Sequence, residues 1–88
     1  MLTGNLLLQC KQRMIGILDN YTIDVREQQL ATDLQLLNPS LRPDDIKQTL
    51  NALKDDGLVT RRMDDMRGPV WKINAEGHKV AASLELES

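Results

Sequence analysis

The sequence has no phenylalanine and only one tryptophan and one tyrosine. Its core must therefore be built almost wholly from aliphatic side chains. A single cysteine excludes an internal disulfide, and a single histidine beside it leaves no spaced ligand cluster for zinc. Cys10 falls on the apolar face of its helix and reads as a small buried hydrophobe rather than a redox or nucleophilic group. No apolar run approaches the roughly 18 residues a membrane span needs. Met1 to Leu8 has no positive n-region and no small-residue cleavage site follows it, so no secretory signal is expected. These absences place the chain in the cytoplasm, with no membrane partner.

Basic charge is not in excess either. Eleven Lys and Arg stand against 13 Asp and Glu, and the pI is near 5.2. That balance counts against tight, sequence-independent nucleic-acid binding, while leaving room for a local basic patch. No nucleophile with a base, no carboxylate pair in a pocket-forming context and no phosphate loop is present, so no enzyme and no cofactor are expected. The adjacent pairs Asp44/Asp45, Asp55/Asp56 and Asp64/Asp65 point in different directions on a helix or strand and do not make a metal site.

What is present organises around Pro43 to Val59. Ile46, Leu50 and Leu53 recur at helical spacing, Pro43 suits a first helical position, and Gly57 stands where a left-handed C-terminal residue is needed. With Gly57 at C′, Leu58 is C″ and covers Leu53, so the chain leaves this helix in a fixed direction and enters a strand near Val59. The 88 residues form one domain, 1–88, because a chain this short buries only roughly two thirds of its unfolded surface.

In chain order, Leu7, Cys10, Met14, Ile17 and Tyr21, widened by Leu18, predict a first helix ending near Asp19, with Thr3 or Asn5 as N-cap. Gly16 inside it suggests close packing against another backbone. A short extended pairing with the later hairpin is expected around Thr22 and Ile23. Asp24 and Glu27 have capping-box spacing, so a second helix starts there, buries Leu30, Ala31, Leu34 and Leu37, and stops before Pro39. After Val59, TRRMDD and VWKIN predict a two-stranded hairpin turning at MRGP. Trp71 and Ile73 share the face that packs on the helices, and Val70, Lys72 and Asn74 share the other. Asn74 caps a last helix in which Val80 and Leu84 pack, Gly77 weakens the first turn and His78 lies at the surface. Its acidic end is expected to fray.

The phrases QQLATDL, IKQTLNALKDDGLVTRR and WKINAEGHKVA, in that order, resemble those of MarR-like and ArsR-like winged helix-turn-helix regulators. The resemblance covers almost the whole chain. It implies a mainly α fold with a small β-hairpin: three helices, a two-stranded wing and a short C-terminal helix. The stretch from Leu30 to Ile46 is about five residues longer than in those regulators. That spacing, with LNPSLRPDDI in the link, is similar to small winged-helix proteins of Mu-like prophages, and implies a phage-derived origin.

In such a fold the third helix enters the major groove and the wing meets phosphate or minor groove. Asp44, Lys47, Gln48, Asn51, Lys54 and Asp55 stand opposite the buried stripe. Gln48 and Asn51 suit adenine, and Lys47 suits guanine or phosphate. Arg61, Arg62, Arg67 and Lys72 make the wing basic and are the candidate phosphate clamp. Against this, Arg42 to Asp56 holds three basic residues and four acidic ones.

Two readings follow. The first is a double-stranded-DNA-binding transcription regulator, dimerising through the first and last helices, with Leu2, Leu6 and Leu8 left over for the dimer. The second is a protein-interaction module whose partner meets the acidic face of helices two and three, with Met66 and Trp71 contributing from the wing. Otherwise Met63 and Met66 cover the underside of the domain. A continuous positive surface joining the third helix to the wing separates the two readings.

Overall fold

The computed structural model describes residues 2–87, with side chains described through residue 84. The chain runs α1 (Gly4–Asp19), β1 (Val25–Arg26), α2 (Glu27–Leu37), α3 (Pro43–Asp55), β2 (Val59–Asp64), β3 (Gly68–Ile73) and α4 (Ala75–Glu87). The three strands form one antiparallel sheet in the order β1-β3-β2.

Both ends of α3 are set by local chemistry. Pro43 opens the helix, and the Asp45 carboxylate accepts a hydrogen bond from the Arg42 backbone N–H at 3.1 Å, half of a capping box. At the other end Gly57 has φ +78°, a conformation costly for any residue with a Cβ. The Leu58 N–H then donates to Leu53 O and the Gly57 N–H to Lys54 O, which is a Schellman motif.

A second junction lies directly beside it. Asn74 donates its side-chain amide to Gly57 O at 2.7 Å and its backbone N–H to Leu58 O at 3.1 Å. Its Oδ1 accepts from the Gly77 N–H at 2.9 Å, capping α4 as expected. One asparagine thus ties the end of α3, the root of the wing and the start of α4 together.

The core is aliphatic around a single aromatic. Met14, Ile15, Leu18, Leu30, Leu34, Ile46, Leu50, Leu53 and Trp71 are all buried, and Cys10 lies among them. On α1 the buried face is turned toward Ile15, with Leu7 and Ile17 only partly covered, as is Tyr21 just beyond the helix end. Leu2 belongs to this core, so it is not left over for an interface, whereas Leu6 and Leu8 are about half exposed.

Several local expectations need correction. The extended pairing falls at Val25 and Arg26, opposite Trp71 and Val70, not at Thr22 and Ile23. Val25 supplies the buried residue this ladder needs, whereas Ile23 is exposed. Because those two residues are extended, α2 starts at Glu27 instead of Asp24, and the sheet gains a third strand. Leu37 is exposed and Leu41, from the link into α3, is buried instead.

The two helical glycines exchange the roles expected of them. Gly16 is exposed, with nothing near the position of an added Cβ, so no backbone packs against it. At Gly77 an added Cβ would lie 2.3 Å from Leu58 O and 2.5 Å from Ile73 Cγ1. The close approach is therefore between α4 and the root of the wing.

Val70 is fully buried although it stands on the outer face of the sheet and outside the main core cluster. It sits in the central strand, paired with Arg26 on one side and Arg62 on the other. Met63 and Met66 do not cover an underside, for both are exposed, Met66 almost completely. His78 is exposed on α4, and its Nδ1 lies 2.6 Å from Asp19 Oδ1 at the end of α1. The fraying expected of the acidic end falls on residues whose side chains lie outside those described.

Candidate nucleic-acid interface

Helix α3 divides its side chains between two faces. Ile46, Leu50 and Leu53 are buried, and so is Thr49, whose hydroxyl donates to Asp45 O at 2.8 Å. Lys47, Asn51 and Lys54 lie exposed on the opposite side. Gln48 belongs with neither group. Its Nε2 donates to Leu2 O at 2.8 Å and its Oε1 accepts from the Leu2 N–H at 2.9 Å, so its amide is engaged with the backbone that leads into α1.

The wing sorts its cations by strand register. Arg61 pairs with Trp71 across β2 and β3 and so shares the face that looks toward the helices. Its guanidinium carbon lies 6.0 Å from the Trp71 ring centroid, at the outer limit of a cation–π contact. Trp71 Nε1 donates in turn to Glu27 Oε1 at 3.1 Å. Glu27 thus fixes the edge of the ring, and the Arg61 guanidinium lies near its face.

Arg62 and Lys72 share the other face with Val70, where Arg62 forms an ion pair with Asp24. Arg67, at the turn, reaches Asp24 O and Asp64 Oδ2, both at 3.4 Å. The Asp64 carboxylate accepts the backbone N–H groups of Met66 and Arg67 at 2.9 and 3.0 Å, which closes the turn. Those two N–H donors, aided by the Arg67 guanidinium, hold its pKa below the usual carboxylate value.

Between α2, α3 and the wing lie two adjoining concavities of about 290 and 360 Å³ that share Glu27, Lys47 and Pro69. Arg26, Lys47, Lys54, Arg61 and Arg67 line this groove, with Glu27 as its one acidic lining residue. The aspartates of α3 do not line it. Asp45 caps the helix, and Asp56 is drawn to the far side by Lys11 of α1 at 2.5 Å.

Of the residues singled out from the sequence, the structure brings Lys47, Asn51, Arg61 and Arg67 to the groove. Gln48 is turned to α1, and Arg62 and Lys72 lie on the opposite face of the sheet. Two further cations line the groove: Lys54, which the sequence places on the exposed face of the helix without a base or phosphate role, and Arg26. Lys54 follows Lys47 and Asn51 at four- and three-residue spacing and was legible as part of the same stripe. Arg26 was hidden by the early start expected for α2. Its signal is the β-branched Val25 before it, an opening for extended pairing.

Two other titratable groups are perturbed away from the groove. Burial pushes the Cys10 thiol above its usual value. The Tyr21 hydroxyl donates to Asp33 Oδ2 at 2.7 Å, and this bond raises its pKa. Among the described residues, no group of three or more His, Cys, Asp or Glu is placed to hold a metal, and no helix is long and apolar enough to cross a membrane.

A helix presented beside a β-hairpin, with two further helices behind it and a fourth closing the sheet, defines a winged helix-turn-helix domain. The fold is shared with solved bacterial and archaeal regulators. A MarR-family transcriptional regulator from Silicibacter pomeroyi aligns with a TM-score of 0.73 at 23% identity, over 88% of this chain and 49% of that one. ZitR from Lactococcus lactis, described as a zinc-responsive MarR family member, aligns with a TM-score of 0.67 at 17% identity, over 98% and 53%. A possible HxlR-family transcriptional factor from Thermoplasma volcanium aligns with a TM-score of 0.71 at 20% identity, over 98% and 75%. The chain spans about half the length of the MarR-family chains it matches. No protein-family model and no curated protein matches it.

Proposed function

We propose that this domain binds double-stranded DNA through the groove between α3 and the wing, and acts as a small transcription regulator in the cytoplasm. The observation that carries the reading is the sorting of charge. Five cations and one carboxylate line a continuous groove in a chain whose net charge is −2. Lys47, Asn51 and Lys54 face the bases, while Arg26, Arg61 and Arg67 approach phosphates on either side.

Regulators of this shape are the solved structures it is similar to. A homodimer through α1 and α4 supplies a second half-site. The apolar crevice between those helices, lined by Leu8, Ile15, Val80 and Leu84, is a surface suited to it. The phage-derived origin rests on the LNPSLRPDDI link alone. The protein-module alternative loses one of its two wing contacts, because Trp71 is buried.

The test is binding to mixed duplex DNA at two salt concentrations. Three phosphate contacts give a slope of about −2.7 in log affinity against log salt, or a loss of about 40-fold between roughly 50 and 200 mM. Arg61→Ala removes about 0.9 from that slope. Absence of any binding at the lower salt would overturn the proposal.

A further inference from the structure

The groove carries information about which DNA it fits. Resting on the DNA reading above, we propose that each copy of the domain reads a three-base-pair element with adenine at its centre and guanine on either side, all on one strand. The readers are Lys47, Asn51 and Lys54.

Three observations lead there. First, these three residues line one concavity together with Arg61. They stand at i, i+4 and i+7 of a helix that is regular from Pro43 to Asp55. Residues recurring on one face of a recognition helix, at successive turns, can reach successive bases, as a zinc-finger helix does principally on one strand. The geometry fits here as well. Seven residues of helix advance about 10.5 Å and two base steps rise about 6.8 Å, so the three side chains can span three successive bases when the helix lies inclined to the DNA axis.

Second, Gln48 is removed from the reading set. Both ends of its amide are bonded to the backbone of Leu2. Without it, Asn51 is the one side-chain amide among the residues lining that concavity. A carboxamide matches the N6 donor and N7 acceptor of adenine, and a lysine matches the O6 and N7 acceptors of guanine.

Third, the order Lys–Asn–Lys is symmetrical. The helix therefore specifies guanine–adenine–guanine whichever way it runs along the purine strand. Arg61, near the face of Trp71, stands on the wing across the concavity from these readers and fits a phosphate rather than a base.

The experiment is selection of bound duplexes from a random pool at low salt, followed by affinity measurements on the selected site and its single-base variants. Bound duplexes sharing a G-A-G triplet support the inference. A loss of roughly 5- to 150-fold on changing its central A·T pair also supports it. Asn51→Ala should abolish discrimination at that position alone, and Lys54→Ala at one flank. Gln48→Ala should leave the base preference unchanged. Near-ultraviolet circular dichroism of each variant shows that the fold is kept. Duplex binding without a shared triplet, or an Asn51→Ala variant that still selects the central adenine, overturns the inference while leaving DNA binding intact. Retention of no duplex at all overturns both.

Discussion

Replacing Gly77 by alanine should destabilise the domain, although helix propensity alone argues for the opposite sign. Gly77 lies in the first turn of α4, where alanine is the better helix former by at most about 1 kcal/mol. The added methyl, however, would sit 2.3 Å from Leu58 O and 2.5 Å from Ile73 Cγ1. Ile73 can rotate, but the carbonyl cannot move cheaply, because it accepts the Asn74 N–H at 3.1 Å beside the Schellman turn. Overpacking of this kind costs about 3 kcal/mol at the upper end of the usual range, which leaves a net loss of about 2 kcal/mol. For a domain this size that lowers Tm by about 10 °C.

Gly16→Ala is the control, since its position is helical, exposed and open. It should raise stability by up to about 1 kcal/mol. Urea unfolding followed by circular dichroism and by Trp71 fluorescence measures both variants. A Gly77→Ala protein as stable as the parent would show that α4 does not seat on the Leu58 carbonyl.

Other outcomes follow from single contacts. Asn74→Ala removes the cap of α4 and the donor to Gly57 O. It should cost about 1–2 kcal/mol, read in the same unfolding assay, and should speed amide exchange at Gly77 more than in α2. Because Asp64 has a lowered pKa, its contribution to the wing turn is complete above the ordinary value of about 3.8 and is lost as pH falls through the lower folded value. Amide chemical shifts of Met66 and Arg67 should therefore move together in acid, and Asp64→Asn should suppress that transition. Cys10, with its raised pKa and 1% exposure, should resist alkylation near pH 8 in the folded protein and react readily in denaturant. Since the unfolded thiol ionises first, stability should fall as pH rises above about 9, and Cys10→Ala should remove the thiol's part of that fall while leaving the part due to Tyr21.

The elements legible from the sequence were those whose ends carry their own chemistry. Pro43, Gly57 and Asn74 mark boundaries through local backbone conformation or bonds to residues a few positions away, and each boundary stands where those residues put it. What escaped depends on neighbours distant in the chain. Gly16 and Gly77 look alike in sequence, and only the approach of the Leu58 carbonyl separates them. The first strand lies three residues later than the local pattern predicts, because its register is set by Trp71, more than forty positions on. For the groove, helical periodicity was enough to gather Lys47, Asn51 and Lys54. The rejection of Gln48 required seeing Leu2 folded back across α3. Arg61 and Arg62, grouped together as one clamp by the sequence, fall on opposite faces of the strand, and the pairing with Trp71 identifies Arg61 as the inward member.

The placement of charge also bears on how such a molecule moves. Five of the 11 basic residues and one of the 13 acidic residues line the groove, so six basic and 12 acidic side chains belong to the rest of the chain. Asp56 is drawn to the far side by Lys11, and Asp19 by His78. On the proposed DNA reading, this sorting of charge would orient the domain, because a polyanion is attracted by the cations of the groove and repelled by the acidic excess of the rest of the chain. Isoelectric focusing and DNA affinity should thus rank this protein in opposite ways.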